Sequence, residues 1–451
     1  SFDDFILLPI RILRHSERVR TYIVDELRHL VVDEFQDVNG AQLAFLKELS
    51  PPSASRDLCV VGDDDQAIYS WRGAKIENIH RFSVDFNNTQ TIRLEQNYRS
   101  TQTILTAANA VIDNNTNRLG KKLWTDRDEG TPLTLYAAFN ERDEAYYIVS
   151  CIQDYLRSGY NAHDIAVLYR ANAQSRVLEE RLIDGQIPYR IYGGQKFFER
   201  AEIKDALAYL RLVANRHDDA AFERVVNTPT RGIGNNTLAA LRVSARENAL
   251  SLWQTAEHLM TTKALTTRAT TALGNFLELI NSADSTTTTM ELGEQTQTVL
   301  EKSGLITHYK KDNSEKGLSR VENLEELVNA TLQFKPENNL GLSPLSGFLS
   351  HVALETGEEQ ADAHADYVSL MTLHAAKGLE YPIVFISGME EELFPHRMSM
   401  NEAKGLEEER RLCYVGMTRA QEKLILTYAE CRYLHGMERY GQPSRFIREI
   451  P

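Results

Sequence analysis

Cysteine is scarce: Cys59, Cys151, Cys413 and Cys431 are the only four in 451 residues, and no two sit at a CxxC or similar ligand spacing. That excludes zinc and iron–sulfur readings and predicts a reducing cytoplasm, where scattered thiols act as small buried hydrophobes. Long apolar runs are missing too. Phe5–Ile10 is broken by Pro9 and Ile383–Ile386 is shorter still, against the roughly 20 residues that span a bilayer, so no membrane association is expected. The acidic start Phe2-Asp3-Asp4 offers no basic region for secretion. Net positive charge is absent as well: the formal charge is −14, so any nucleic-acid contact must use a local basic surface. What remains, 42% hydrophobic and 25% charged residues, is the composition of a globular protein large enough for two to four domains.

Short apolar runs that end in acidic or glycine residues alternate with helix-like segments, the pattern of a parallel sheet with crossover helices. One such region holds strands predicted at His29–Val32, Leu58–Val61 and Thr91–Leu94. A second holds Ile165–Tyr169, Val368–Leu373, Ile383–Ile386 and Leu424–Thr427. Between them, from about Glu199 to Thr356, apolar residues recur at helical spacing, as in Ile203–Leu210, which reads as a helical insertion in the second α/β unit. The polar tract Asp284–Thr289 and the stretch Lys335–Pro344 are predicted to be exposed connections.

Two acids follow the first strand, in Val31-Val32-Asp33-Glu34-Phe35-Gln36-Asp37. At the carboxyl end of a buried strand, an Asp can hold Mg²⁺ through oxygen and a neighbouring Glu can orient a water against a γ-phosphate; a solvated strand end is the plainer alternative. The second strand end, Gly62-Asp63-Asp64-Asp65-Gln66-Ala67-Ile68-Tyr69-Ser70-Trp71-Arg72, supplies an amide that could sense a phosphate. It also supplies rings and a guanidinium on which unpaired bases could stack, although a lone Trp more often belongs to a core. In Gln96-Asn97-Tyr98-Arg99-Ser100, Arg99 suits a phosphate or a structural ion pair, and Tyr98 offers a stacking surface.

The order of these motifs resembles the UvrD/PcrA/Rep group of superfamily 1 DNA helicases. The likeness extends through Met371–Glu380, similar to the family's motif V, and Glu407–Ala420, similar to motif VI, and covers essentially the whole chain. It implies an α/β fold of two RecA-like P-loop-NTPase-type domains, the first incomplete, with a mainly helical insertion in the second. The implied limits are 1–28 for the tail of helical insertion 1B and 29–94 for part of domain 1A. Domain 2A would comprise 95–193 and 365–451, enclosing helical domain 2B at 194–364.

The resemblance further implies ATP and Mg²⁺ as cofactors and single-stranded DNA and its junctions with duplex as substrate. It implies 3′-to-5′ unwinding in repair or replication, and DNA-repair proteins as partners. Asp33 would hold the metal, Glu34 would activate water, and Gln66 would link nucleotide state to the DNA-facing Tyr69, Trp71 and Arg72. Tyr98 would stack on adenine, Glu380 would bind the ribose, and Arg99 and Arg419 would reach the γ-phosphate, Arg419 as an arginine finger. His374 would connect motif V to DNA, or is a buried hydrogen-bonded histidine. Gly232 and Gly234, in Arg231-Gly232-Ile233-Gly234, would approach duplex phosphates; an ordinary loop and N-cap is the alternative.

The family's phosphate-cradling loop, GxxxxGK[ST], has no counterpart here. The Gly120-Lys121 pair continues with Lys122 and lacks the earlier glycine at Asn115. The expectation is therefore that the chain is the C-terminal portion of a helicase, inactive by itself or a non-catalytic DNA-binding remnant. Its unpaired sheet edge beside Gly62 would be prone to self-association.

Overall fold

The computed structural model describes residues 3–50, 57–86, 88–335, 341–357, 366–434 and 437–451. Helices α1 (Asp4–His15) and α2 (Glu17–Glu26) lead into the first α/β unit. There β1 (His29–Val32) pairs in parallel with β2 (Asp57–Val60) across α3 (Gly40–Leu49), in the register Leu30 to Leu58 and Val32 to Val60. Alternation along both strands sends Leu30, Val32, Leu58 and Val60 to one face, against Phe35, Leu46 and Phe86, while Val31 and Cys59 point to solvent. Short helices α4 (Glu77–His80) and α5 (Phe82–Asp85) complete that small core.

The second unit is built on a seven-stranded sheet ordered β3-β8-β7-β4-β6-β5, with β9 added antiparallel to β8 and every other pairing parallel. The strands are β3 (Thr134–Asn140), β4 (Ile165–Tyr169), β5 (Tyr189–Ile191), β6 (Val368–Thr372), β7 (Tyr381–Ile386), β8 (Ala420–Leu434) and β9 (Met437–Tyr440). Central β4 is buried on both sides because its neighbours are covered by helices on both faces. Ala166 and Leu168 face the core under α6 (Gln102–Ile112) and α18 (Ala403–Met417), and Ile165, Val167 and Tyr169 face the core under α7 (Glu141–Arg157) and α8 (Ser175–Asp184). The C-terminal helix α19 (Arg445–Arg448) adds Phe446 to the first of these cores.

Between β5 and β6 the chain leaves the sheet and forms α9 (Ala201–Ala214), α10 (Asp219–Val225), α11 (Asn235–Asn248), α12 (Leu252–Thr261), α13 (Thr267–Thr287), α14 (Leu292–Ser303), α15 (Leu305–Lys310), α16 (Glu315–Gln333) and α17 (Pro344–Gly357). These share one apolar core, centred on Tyr209, Phe222, Phe276 and Leu324.

Two expectations need correction. Thr91–Leu94 forms no ladder with any described strand, and Ile92 and Leu94 lie exposed; its apolar composition alone cannot fix a strand without a neighbour to accept its backbone bonds. The polar tract from Asp284 largely continues α13 rather than linking it onward: Thr286, Thr287 and Thr288 donate their hydroxyls to the carbonyls of Ser282, Ala283 and Asp284, satisfying themselves within the helix. Of the Lys335–Pro344 stretch, residues 336–340 lie outside the described residues, as does the 364/365 boundary, and Pro344 opens α17.

Candidate nucleotide and nucleic-acid site

Asp33 and Glu34 follow β1 directly, and backbone pairing continues past them: Val61 N–H donates to Val32 O at 2.8 Å and Phe35 N–H to Val61 O at 2.9 Å. Between those bonds Glu34 adopts a left-handed conformation, φ 50° and ψ 42°, which costs a non-glycine residue on the order of 1 kcal/mol. The kink places two exposed carboxylates side by side, with Glu34 N–H donating to Asp33 Oδ1 at 2.8 Å. Fully buried Gln36 supports the pair from below. Its amide donates to Glu34 Oε2, and its oxygen accepts from Asp63 N–H at 2.9 Å. Gly62 permits that approach, since a Cβ there would lie 2.8 Å from Gln36 Oε1.

Opposite stand residues of the second unit. Lys377 Nζ donates to Asp37 Oδ2 at 2.6 Å and to Gln66 O at 2.9 Å, and lies 3.4 Å from Glu34 Oε2. Burial raises the Asp37 pKa above its ordinary value despite Lys377, and its Oδ1 is buried without a hydrogen-bond partner. Gln66 Nε2 donates to Asp63 Oδ2 at 2.6 Å.

Arg99 donates through Nε to Glu380 Oε2 and through Nη1 to Thr418 O at 3.4 Å, and Gln421 donates to Glu380 Oε1 at 3.0 Å. The hydrogen bond from Arg99 holds Glu380 below its ordinary pKa. Arg419 is buried at the end of α18, where Nε, Nη1 and Nη2 donate to Val415 O, Leu379 O and Thr418 Oγ1 at 3.0, 3.2 and 3.2 Å. Burial, then repulsion from nearby Arg99, pushes its pKa down to about 10, so it remains a cation at neutral pH. Two guanidiniums thus lie near each other, Arg99 paired with Glu380 and Arg419 held by backbone and hydroxyl oxygens, an arrangement able to receive an anion. Tyr98 stands apart, 77% exposed, its hydroxyl donating to Gln96 Oε1 at 3.0 Å.

Tyr69, Trp71 and Arg72 cluster along the outside of the same boundary, the two rings edge-on with Arg72 over both. The Arg72 guanidinium lies 4.5 Å from the Trp71 ring centre and 4.9 Å from that of Tyr69, and Tyr69 donates to His374 O at 3.2 Å. Trp71 is half exposed, not a core residue. Burial, reinforced by Arg170 and opposed by Glu409, lowers the His374 pKa to about 3, so this imidazole is neutral. Arg170 itself binds Glu409 bidentately, at 2.8–3.1 Å.

Gly232 and Gly234 lie far along the chain, before α11. Gly232 has φ +83°, and Gly234, at φ −90°, is the N-cap of α11. Arg231 is spent internally, donating to the carbonyls of Val225, Pro229 and Ser303, while Asn227 Oδ1 accepts from Arg231 N–H and Ile233 N–H and so shapes the turn.

The carboxylates of Asp33 and Glu34 are hard oxygen donors that suit Mg²⁺, and the guanidiniums of Arg99 and Arg419 suit phosphate oxygens, so the residue types fit a metal–triphosphate. Sequence reasoning gave no role to Gln36 or Lys377, although both fall inside motif-like segments, because Asp63 meets Gln36 and Asp37 meets Lys377 only once the fold brings them together.

A parallel seven-stranded α/β unit beside a smaller parallel α/β unit is an architecture consistent with RecA-like domains. Residues 92–431 match the UvrD-like helicase C-terminal domain, and residues 1–87 match the UvrD/REP helicase N-terminal domain. The chain belongs to the UvrD-like helicase family. It is 55% identical to DNA helicase II of Escherichia coli (strain K12), covering 100% of this chain and 62% of that protein. DNA helicase II of Haemophilus influenzae is 54% identical over 99% of this chain and 62% of its own length, and the ATP-dependent DNA helicase PcrA of Staphylococcus aureus 42% identical over 100% and 62%. The chain therefore spans 62% of the length of these curated relatives. Among the described residues, no helix is long and apolar enough to cross a membrane.

Proposed function

We propose that the chain forms the larger part of an ATP-dependent DNA helicase that moves 3′-to-5′ along single-stranded DNA in repair or replication in the cytoplasm. The proposed layout is that of the resemblance: 1A ending near residue 94, 2A at 95–193 and 365–451, and 2B at 194–364. The observation that carries it is that Lys377 of the seven-stranded unit reaches Asp37, Gln66 O and Glu34 of the two-stranded one, while Arg99, Glu380 and Arg419 gather on the seven-stranded side.

In this scheme Asp33 holds Mg²⁺, whose charge would offset that of the phosphate oxygens. Glu34, oriented by the Gln36 amide and by Lys377, positions the attacking water and accepts its proton. Tyr98 stacks on the base and Glu380 accepts from the ribose, exchanging its bond from Arg99 as Arg99 turns to phosphate. Arg419 stabilises charge that develops on the γ-phosphate, which couples hydrolysis to closure of the two units. Gln66 reports nucleotide state to Tyr69, Trp71 and Arg72, on which bases of the single strand stack, with His374 holding Tyr69 at its backbone. Gly232 and Gly234 offer N–H groups to duplex phosphates ahead of the junction.

A second reading, a DNA-binding module without hydrolysis, is favoured by one observation: Arg419 Nε, Nη1 and Nη2 already donate within the chain, so supplying a GxxxxGK[ST] loop is the way to tell the readings apart. Phosphate release separates the two. The chain joined upstream to a relative's segment bearing that loop should hydrolyse ATP in response to single-stranded DNA and unwind duplexes with a 3′ tail. Binding of DNA with no hydrolysis by the joined polypeptide would leave only the second reading.

A further inference from the structure

Three consecutive aspartates, Asp63, Asp64 and Asp65, offer oxygens within 4.8 Å of one another, an arrangement that invites comparison with a metal site. Every one of them is already engaged. Asp65 receives a two-pronged bond from Arg118, Nε at 2.8 Å and Nη2 at 2.7 Å; Asp64 Oδ2 accepts from Leu119 N–H at 2.7 Å; and Asp63 Oδ1 is paired with Lys121 Nζ. Arg118, Leu119 and Lys121 all come from one connection, residues 113–122, which follows α6. The acids therefore form half of a clasp.

The other side of that connection is fastened to α18. Arg410 Nη1 donates to Asn115 Oδ1 at 2.7 Å, Thr116 Oγ1 donates to Glu407 Oε1 at 2.8 Å, and Lys121 Nζ sits 5.6 Å from the centre of the Tyr414 ring. Residues 407, 410 and 414 are spaced three and four apart and so share one helical face. The same helix runs on to Arg419, and Thr418 N–H donates to Tyr414 O at 3.0 Å. Lys121 thus lies between the ring of Tyr414 and the carboxylate of Asp63, whose second oxygen accepts from Gln66. Movement of α18 relative to the first unit therefore loads the Lys121–Asp63 pair.

We propose that Lys121 is a positioning residue that ties the helix carrying Arg419 to Gln66 through Asp63, so that closure of the cleft and the setting of Gln66 are one event. The assignment deepens the proposed ATPase and rests on it for its kinetic consequence, but the clasp itself is a property of the chain without nucleotide. Lys121→Met removes the charge and keeps most of the apolar stem; Lys121→Arg keeps the charge and both contacts.

Two measurements test it. In the 451-residue chain alone, hydrogen exchange at the amides of Gly62–Tyr69 should quicken about tenfold in Lys121→Met and return to the wild-type rate in Lys121→Arg, while the amides of Leu105–Val111 in α6 stay unchanged. In the joined polypeptide with the phosphate-binding loop, DNA-stimulated kcat should fall on the order of 10²-fold in Lys121→Met with KM for ATP nearly unmoved, and Lys121→Arg should recover most of it. Unchanged exchange at Gly62–Tyr69, or a kcat equal to wild type, overturns the proposal. An absence of hydrolysis in the joined wild-type protein would overturn the ATPase reading instead, and the exchange result would then decide the clasp by itself.

Discussion

Lys377 Nζ lies 2.6 Å from Asp37 Oδ2, although the lysine belongs to the seven-stranded unit and the aspartate to the two-stranded one. Lys377 is nearly buried, and the same ammonium reaches Gln66 O and approaches Glu34. One cation therefore joins the two units at the floor of the cleft.

Removing it leaves the acids facing each other. Lys377→Met should lower unfolding free energy by about 2–3 kcal/mol at neutral pH, the cost of stranding a partly buried carboxylate. Burial already raises the pKa of Asp37 above the ordinary 3.8, so the folded state binds the proton more tightly than the unfolded one. Stability from this group is lost as pH rises through the folded pKa, so the gap between variant and wild type should narrow in acid. Urea titrations at pH 4 and pH 7 check both points; equal midpoints for the two proteins at pH 7 would refute the linkage.

His374 should stay neutral well below the usual imidazole range. Its folded pKa of about 3 lies beneath the ordinary 6.5, so the unfolded chain binds the additional proton between those values. Its contribution to stability therefore grows as pH rises through that window and is complete above it. The ring C–H resonance of His374, followed by NMR from pH 8 down to pH 5, should not shift. A midpoint near 6.5 would show that the ring is solvated.

Arg432 offers a test away from the cleft. It bonds Glu390 through Nε and Nη2 at 2.7–2.9 Å and also Glu144, joining α7, β8 and the turn after β7. Arg432→Met leaves two buried carboxylates together and should cost about 3–5 kcal/mol, seen as an earlier denaturant midpoint. An unmoved midpoint would show that the network adds nothing to stability.

Trp71→Ala should weaken single-stranded DNA binding by about 1–3 kcal/mol with little dependence on base sequence, because stacking uses the ring faces common to all bases. Fluorescence anisotropy with labelled oligonucleotides measures this. Equal affinity of variant and wild type would take Trp71 out of the DNA surface.

Much of this arrangement was readable from residue order, and the exceptions have physical causes. Ile165–Tyr169, Val368–Leu373 and Ile383–Ile386 announced central strands because strands buried on both faces are continuously apolar. Thr134–Asn140 went unnoticed: as an edge strand it is partly exposed, and its composition blurs the contrast. Thr286–Thr288 misled because threonine is common in connections, yet its hydroxyls can bond back to the preceding turn. Of the candidate site residues, Asp33, Glu34, Gln66 and Arg99 stood out through their local motifs, and Arg419 through the resemblance of residues 407–420 to a family motif. Lys377 and Lys121 did not, since a lysine is informative only once the fold has brought it to a distant acid.

Arg419 bears most directly on the motor reading. In the chain joined to a segment with GxxxxGK[ST], Arg419→Ala should reduce DNA-stimulated phosphate release by about 10³-fold or more while single-stranded DNA affinity stays within a factor of about two. Phosphate release from Arg419→Ala at the wild-type rate would contradict a cleft whose chemistry depends on a cation delivered by the second unit.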